Sequence, residues 1–533
     1  MSFNSTPIEE IPVIRDALVK GFASGKTKNV QYRKDQLIHL SYLLHENRSR
    51  FVESLAIDLK RPALETDFLE IDGTIAEVRE AYTNVEKWSK PESPAFSLNW
   101  FSMNPKIRKE PKGVVLIIGP FNVPLWCLLG PLAGAIAAGN TVAIKPSEMT
   151  PMTADVIAEL FPKYLDPEVV RVVKGGIPQT SKLLEYPWGH ICYTGSQRVA
   201  KIIGVAAAQT LTPVTFELGG KSPVIVDTSA DLKLAARRIL WGKCANAGQL
   251  CVAPDYVLVL REVEEQFIRE LQQVYTAFFG SDPAKSDSIS RIVSPQHTLR
   301  IKNLVESTKG NILIGGQIDV NERYVAPTIV TDVPGDDSLM TDEIFGPVLP
   351  IISVDSLNQA IGFINSRDHP LVLYIFSEDK KVKEKVFSST NSGGAVANDV
   401  VILPAAAGLP FGGIGASGFG YTTGKWGFNT FTHFRGTLDV PSWLDKVVLG
   451  SRFPPYTDKK LADLKKNLND TLPLRPGTRP VTALKRRWGW WILLALLSAI
   501  GALRKKRFVA ANICRAAGRK SIGRGGLSQS CDE

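Results

Sequence analysis

Two side chains in this chain are of the types, and in the settings, that carbonyl chemistry needs. Cys251 ends the run Gly248-Gln249-Leu250-Cys251, and Glu217 lies 34 residues earlier in Phe216-Glu217-Leu218-Gly219-Gly220-Lys221-Ser222-Pro223. A thiolate attacks a carbonyl carbon, so Cys251 as nucleophile requires a polarising surround. A carboxylate with apolar neighbours has its charged form disfavoured, which raises its pKa into the range of a general base. Together they supply the two halves of a reaction that runs through a thioester and ends in its hydrolysis. A lone cysteine is more often a small buried hydrophobe. The Gly-Gln-Leu context and the companion Glu217 favour the nucleophile at Cys251, whereas Cys244 lacks that context and reads as structural.

Five further motifs punctuate the chain. Pro120-Phe121-Asn122-Val123-Pro124 follows a strong apolar run, Lys145-Pro146-Ser147-Glu148 follows another, and Thr194-Gly195-Ser196 opens the next helical stretch. Glu343-Ile344-Phe345-Gly346-Pro347 lies downstream, and a glycine-rich passage closes the series at 409–420. The six histidines, at 39, 45, 190, 297, 369 and 433, show no metal-ligand spacing, so no metal is expected.

The elements that must position these residues follow from periodicity. Residues 8–90 carry apolar residues at helical spacing, as in Leu37, Leu40, Leu44 and Phe51. From 113 the pattern changes to short apolar runs, at 113–118, 141–144, 169–173 and 190–193, alternating with helical segments around 124–138, 151–162, 178–186 and 196–209. Such alternation predicts repeated βαβ units, hence an α/β doubly wound parallel sheet. A second α/β pattern runs from about 223 to 400, with strands near 223–227, 256–261 and 392–398.

The net charge of +10 is concentrated at one end. From Lys485 onward eleven basic residues face only Asp532 and Glu533, so the body is nearly neutral and no nucleic-acid partner is implied. The same tail holds sixteen uncharged residues, Trp488–Leu503, between Lys485–Arg487 and Arg504–Arg507. As a helix they would reach about 24 Å, short of a hydrocarbon core of roughly 30 Å, with basic stems free to snorkel at both ends and tryptophans at the interface. The segment reads as a C-terminal membrane anchor with the body in the cytosol; the target organelle is left open. The alternative is a buried helix docked on the body. The N-terminus has neither the basic nor the apolar region of a signal peptide, and six scattered cysteines suit reduced thiols. Residues 441–484 are proline-rich and polar around one helix at 458–469, which is either a linker helix near a substrate entrance or a plain spacer.

The five ordered motifs, over roughly residues 30–440, resemble the aldehyde dehydrogenase superfamily, with flanking residues most similar to its class-3 and fatty aldehyde branch. That resemblance implies a cofactor-binding domain over 1–215 (with part of an oligomerisation element near 88–110), a catalytic domain over 216–404 and a closing and oligomerisation segment over 405–440. A linker at 441–484, the anchor at 485–507 and a basic tail at 508–533 complete the division. It implies catalytic roles for Cys251, Glu217 and Asn122, the last supplying its side-chain amide to the oxyanion together with the Cys251 backbone N–H. It implies cofactor contacts from Lys145, Ser147, Glu148, Thr194, Gly195, Ser196, Gly219, Glu343 and Phe345. NAD is the expected cofactor because a carboxylate at Glu148 suits a ribose 2′-OH, with NADP the alternative. The sequence departs from the class-3 form at Arg198 and Ala200, where glycines are usual. Relatives also imply a homodimer, and similarity to fungal members points to long hydrophobic aldehydes, either fatty aldehydes or apocarotenals, with the choice open. Two rivals stand beside this reading. One is transfer of the acyl group to coenzyme A, against which Glu217 argues. The other is a catalytically silent membrane-bound binding protein, against which the intact Cys251, Glu217 and Asn122 argue.

Overall fold

The computed structural model describes residues 4–97 and 100–467, together with Arg475. Residues Met1–Asp439 form one compact unit, and a second begins at Val440.

Two parallel sheets organise the first unit. The six-stranded sheet runs, edge to edge, Gly418–Phe419, Val214–Leu218, His190–Gly195, Val114–Ile118, Thr141–Lys145, Val170–Val172; every neighbour pair is parallel except the two-residue edge strand. The strands read as unbroken apolar runs because both faces are covered. Val115 and Ile117 pack into the layer that contains the helices Val30–Glu46, Asp72–Ser89 and Trp126–Ala138. Their neighbours Leu116 and Ile118 face the opposite layer, with the helices Glu10–Ala23 and Gln197–Gln209. Chain order reverses between Val114–Ile118 and His190–Gly195, since the connections after the first of these move outward to one side and then return to the other. Crevices beyond the carboxyl ends of strands at such a reversal are where open α/β sheets bind ligands. The residues that follow these two strands include Asn122 and Ser196.

The seven-stranded sheet runs Gly394–Ala397, Val372–Phe376, Pro223–Val226, Tyr256–Leu260, Val348–Val354, Thr328–Thr331, Asn311–Ile314, parallel but for its last strand. The parallel α/β architecture expected from the alternating pattern is therefore present in both halves. Only Gly219–Ser222 separates Val214–Leu218 of one sheet from Pro223–Val226 of the other.

Lys106–Pro111 and Thr432–Thr437 pair antiparallel over six residues as a separate ribbon. No apolar run marks these strands in the sequence, because Lys106, Arg108, Lys109 and Glu110 interrupt it. In the second unit the helix Asp458–Asn467 occupies most of the predicted 458–469. Among the described residues no helix is long and apolar enough to cross a membrane. The segments at 485–507 and 508–533, with Cys514 and Cys531, lie outside the described residues.

Candidate active site

Cys251 stands in the loop between the helix Leu232–Cys244 and the strand Tyr256–Leu260. The backbone before it takes the left-handed conformation at three residues running, with φ of 51° at Asn246, 52° at Ala247 and 73° at Gly248. A non-glycine residue held there costs about 1–3 kcal/mol and persists only where its surroundings over-determine it. Gly248 has a second reason to be glycine: a Cβ would fall 2.3 Å from the Gly346 carbonyl oxygen.

A buried polar network supplies the constraint. The Gln249 carbonyl accepts from Asn122 Nδ2 at 2.9 Å and from Asn246 Nδ2 at 3.2 Å. The Gln249 side chain donates to the Asn246 and Arg291 carbonyls, each at 3.0 Å, and accepts from the Val293 N–H at 2.9 Å. Asn246 Nδ2 also donates to the Asn122 carbonyl at 2.9 Å, and Arg61 reaches both asparagines. Arg61, Glu70 and Asn246 were not among the residues predicted for the site. The run Cys244-Ala-Asn-Ala-Gly248 carries a signal for Asn246, since asparagine before glycine favours left-handed backbone, but nothing local marks Arg61 or Glu70.

Glu217 lies inside the strand Val214–Leu218 rather than after it, opposite Thr194 on one side and Gly418 on the other. Both carboxylate oxygens are buried without a hydrogen-bond partner. Burial pushes this carboxyl well above its ordinary range, opposed weakly by the nearby Thr422 hydroxyl, which falls short of hydrogen-bonding geometry. Glu343 is raised to about 8 by burial and then by the Asp255 carboxylate, with Lys221, Lys243 and the Gly220 N–H pulling the other way.

Two cavities meet at these groups. One, of about 260 Å³, has an apolar wall that includes Leu69, Val123, Trp126, Trp241, Leu250 and Phe411. The other, of about 240 Å³, is lined among others by Phe121, Asn122, His297, Arg300, Glu343 and Phe345. Cys251, Glu217 and Thr194 line both. Of the predicted residues, Gly195, Ser196 and Gly219 also border the second cavity. Lys145, Ser147 and Glu148 do not. They cluster beyond the strand Thr141–Lys145, where Lys145 Nζ donates to Glu148 Oε2 at 2.8 Å and the Ser147 hydroxyl accepts from the Met149 N–H at 3.2 Å.

The second cavity suits the nicotinamide end of a dinucleotide. Gly219 leaves room for the Glu343 carboxylate, whose Oε2 would lie 2.1 Å from a Cβ there. His297 stacks on Phe121 with ring centroids 5.6 Å apart, Phe345 meets Phe121 edge-on at 5.9 Å, and His297 Nδ1 is buried without a partner. Thr194 and Gly195 finish the strand His190–Gly195 instead of opening the helix, and Ser196 caps Gln197–Gln209 through a bond from the Val199 N–H to its hydroxyl at 3.4 Å. His297 and Arg300, from a helix far from the predicted motifs, were also absent from the predicted site, as were Trp126, Trp241 and Phe411, which lie in or near those motifs but carry no local signal of a role in the cavity.

Electrostatics correct one expectation. The polarising surround required of Cys251 is not provided by the protein alone. Burial pushes the thiol up to about 12, and the Glu343 and Glu217 carboxylates add to the shift. Backbone N–H groups of Cys251 and Val252 oppose it only weakly. The thiolate fraction should therefore grow about tenfold per pH unit across roughly pH 7–10 in the cofactor-free protein. Iodoacetamide labelling of the wild type, corrected by the Cys251→Ala variant, measures this; a plateau below about pH 9 would contradict it.

Comparison with known proteins places this geometry. The family model described as "Aldehyde dehydrogenase family" matches residues 8–436. Aldehyde dehydrogenase family 3 member B1 of Bos taurus is 45% identical over 444 residues, covering 83% of this chain and 94% of its own length. Beta-apo-4′-carotenal oxygenase of Neurospora crassa is 40% identical over 494 residues, covering 92% of each. The solved structure of Staphylococcus aureus AldH in a substrate-bound state superposes with a TM-score of 0.81 at 40% identity, covering 86% of this chain and 99% of that one. A half-buried thiol and a buried carboxyl, where an apolar cavity meets a more polar one, are thus found in a chain that belongs to the aldehyde dehydrogenase family, whose members are NAD- or NADP-dependent aldehyde oxidoreductases.

Proposed function

We propose that this enzyme oxidises long hydrophobic aldehydes, fatty aldehydes or apocarotenals, to carboxylic acids through a thioester on Cys251. The observation that carries the reading is that Cys251 and Glu217 both border the apolar tunnel and the polar cavity. The aldehyde enters by the tunnel, and the Cys251 thiolate adds to its carbonyl carbon. The Asn122 amide and the Cys251 backbone N–H hold the resulting oxyanion; one such donor contributes roughly 2.7–4 kcal/mol to the transition state. When bound, NAD or NADP would supply the hydride acceptor and a cationic ring. Glu217, once it has lost its proton to solvent, accepts a proton from water as the water oxygen adds to the thioester carbonyl carbon; the C–S bond then breaks, the acid is released and the Cys251 sulfur takes up that proton. Gly219, Glu343, Phe345, Thr194, Gly195 and Ser196 hold the cofactor, with Lys145, Ser147 and Glu148 at its ribose end and NAD preferred.

Cys251→Ala should abolish turnover. Glu217→Gln should yield about one NADH per active site and then stop, because acylation survives and hydrolysis does not. Steady turnover by the Gln variant, followed at 340 nm, would remove the water-activating role from Glu217.

Open apolar space beside Gly130 supports the substrate class. Gly130 lies inside the helix Trp126–Ala138 and borders the tunnel, and a Cβ there meets nothing within 4 Å. Glycine within a helix is less stable than alanine by about 0.5–1 kcal/mol, so the open space has a stability cost. Gly73 borders the tunnel too, against Trp126. The carotenal named for the Neurospora crassa relative is a ligand of this shape class. Gly130→Leu is expected to lower kcat/KM for hexadecanal and a long apocarotenal about tenfold or more while leaving propanal within about twofold, since only the distal chain is obstructed. Equal losses on all three would argue against a tunnel for long chains.

The run Trp488–Leu503 with its flanking basic residues serves, in this reading, to hold the body at a membrane where such aldehydes dissolve. Truncation after Pro480 should move the protein from the membrane pellet to the supernatant with kcat on propanal unchanged; continued sedimentation with membranes would place the attachment elsewhere. The homodimer implied by the family resemblance and the division at 215 and 404 belong to the same proposal.

A further inference from the structure

The ion pair between Arg61 and Glu70 is buried so completely that neither side chain has any solvent exposure. Taking two charges out of water costs several kcal/mol per ion, and well-packed apolar residues often serve stability as well or better. A pair kept at this depth calls for a second account, and its partners supply one. Arg61 directs three different nitrogens at three different groups: Nη1 to Glu70 Oε1 at 2.5 Å, Nε to Asn246 Oδ1 at 3.1 Å, and Nη2 to the Asn122 carbonyl. Glu70 Oε2 accepts the N–H groups of Leu125 at 2.9 Å and Trp126 at 3.0 Å. The two ions therefore grip the 122–126 loop at both ends, Arg61 by a carbonyl and Glu70 by two amides that would otherwise be unpaired at the start of the helix Trp126–Ala138.

The grip extends to the nucleophile loop. Asn246, held by Arg61, donates to the Asn122 and Gln249 carbonyls, and Asn122 donates one amide hydrogen to Gln249. That leaves the second Asn122 amide hydrogen for a ligand in the cavity that Asn122 and Cys251 both line. Arg61 itself follows Lys60, whose left-handed conformation (φ 47°) ends the helix Arg48–Leu59, and Glu70 sits in the widened helical turn Asp67–Ile71. Such turns, with i→i+5 bonding, recur at functional sites.

We propose that Arg61 and Glu70 form a positioning pair for the reaction: they touch neither substrate nor reacting atoms, and act by fixing Asn122 and the Asn246–Cys251 backbone at the oxyanion. The proposal rests on the reading of Asn122 as the oxyanion donor. The planar fork of Arg61 is essential to it, because a lysine ammonium cannot direct three bonds in one plane.

A double-mutant cycle tests it, using the full-length enzyme with two readouts. One is aldehyde oxidation; the other is hydrolysis of p-nitrophenyl acetate without cofactor, which needs Cys251 and the oxyanion site but no hydride transfer. Arg61→Lys should lower kcat by about ten- to a hundredfold in both assays with KM within about threefold, a loss below the 10²–10³ of deleting a donor outright. In an Asn122→Ala background the further loss from Arg61→Lys should shrink to about twofold or less, since coupled residues are non-additive. An equal loss in both backgrounds overturns the positioning role, as does a change confined to KM. Glu70→Gln, which keeps Arg61 and the side-chain volume, should follow the same pattern and covers the case in which Arg61→Lys does not fold. An Asn122→Ala enzyme with wild-type rates in both assays would overturn the oxyanion reading itself, and the proposal with it.

Discussion

The loop that leaves the strand Val114–Ile118 and the loop that enters the strand Tyr256–Leu260 belong to different sheets, and hydrogen bonds from Asn122 to the Gln249 carbonyl and from Asn246 to the Asn122 carbonyl tie them together. Neither loop could hold its shape alone. The second passes through three successive left-handed residues, and the first must leave its peptide groups without water. Buried amides need partners, and here each loop satisfies the other. The arrangement sets the nucleophile beside the amide proposed to receive its oxyanion, and it makes the two cavities adjoin at Cys251.

Burial at that junction has a uniform electrostatic consequence. The Cys251 thiol, the Glu217 carboxyl and the Glu343 carboxyl are all driven toward their neutral forms, chiefly by loss of solvent. Two carboxyls near one thiol oppose its ionisation, and in the reading proposed here a cationic cofactor ring would offset that charge once bound.

The two cavities divide the work by their walls. Aromatic and aliphatic side chains line the tunnel, where they offer a long apolar chain no polar partner to lose. Around the other cavity, Asn122, Glu343, Arg300 and the stacked His297 provide directional groups for a polar cofactor. Glycines matter on both sides for the same steric reason. Gly219 admits a carboxylate toward the backbone, and Gly130 widens the tunnel.

Much of this was legible in the sequence. The parallel sheets followed from short apolar runs spaced by helical segments, because strands covered on both faces need unbroken hydrophobic stretches. Cys251, Glu217 and Asn122 stood out because each lies in a local context that carries meaning on its own. Arg61, Glu70 and His297 did not, since each acts across a long separation: Arg61 meets Asn246 after 185 residues. The ribbon of Lys106–Pro111 with Thr432–Thr437 was hidden for a related reason, as its residues pair through backbone and show no apolar alternation. The sequence by itself determined the candidate thiol, carboxyl and amide, the sheet architecture and the location of the charge in the tail. Only the tertiary structure decided that the thiol is held neutral beside two carboxyls and that a buried ion pair grips the loop carrying Asn122, because burial and long-range hydrogen bonds exist only once distant segments are packed together.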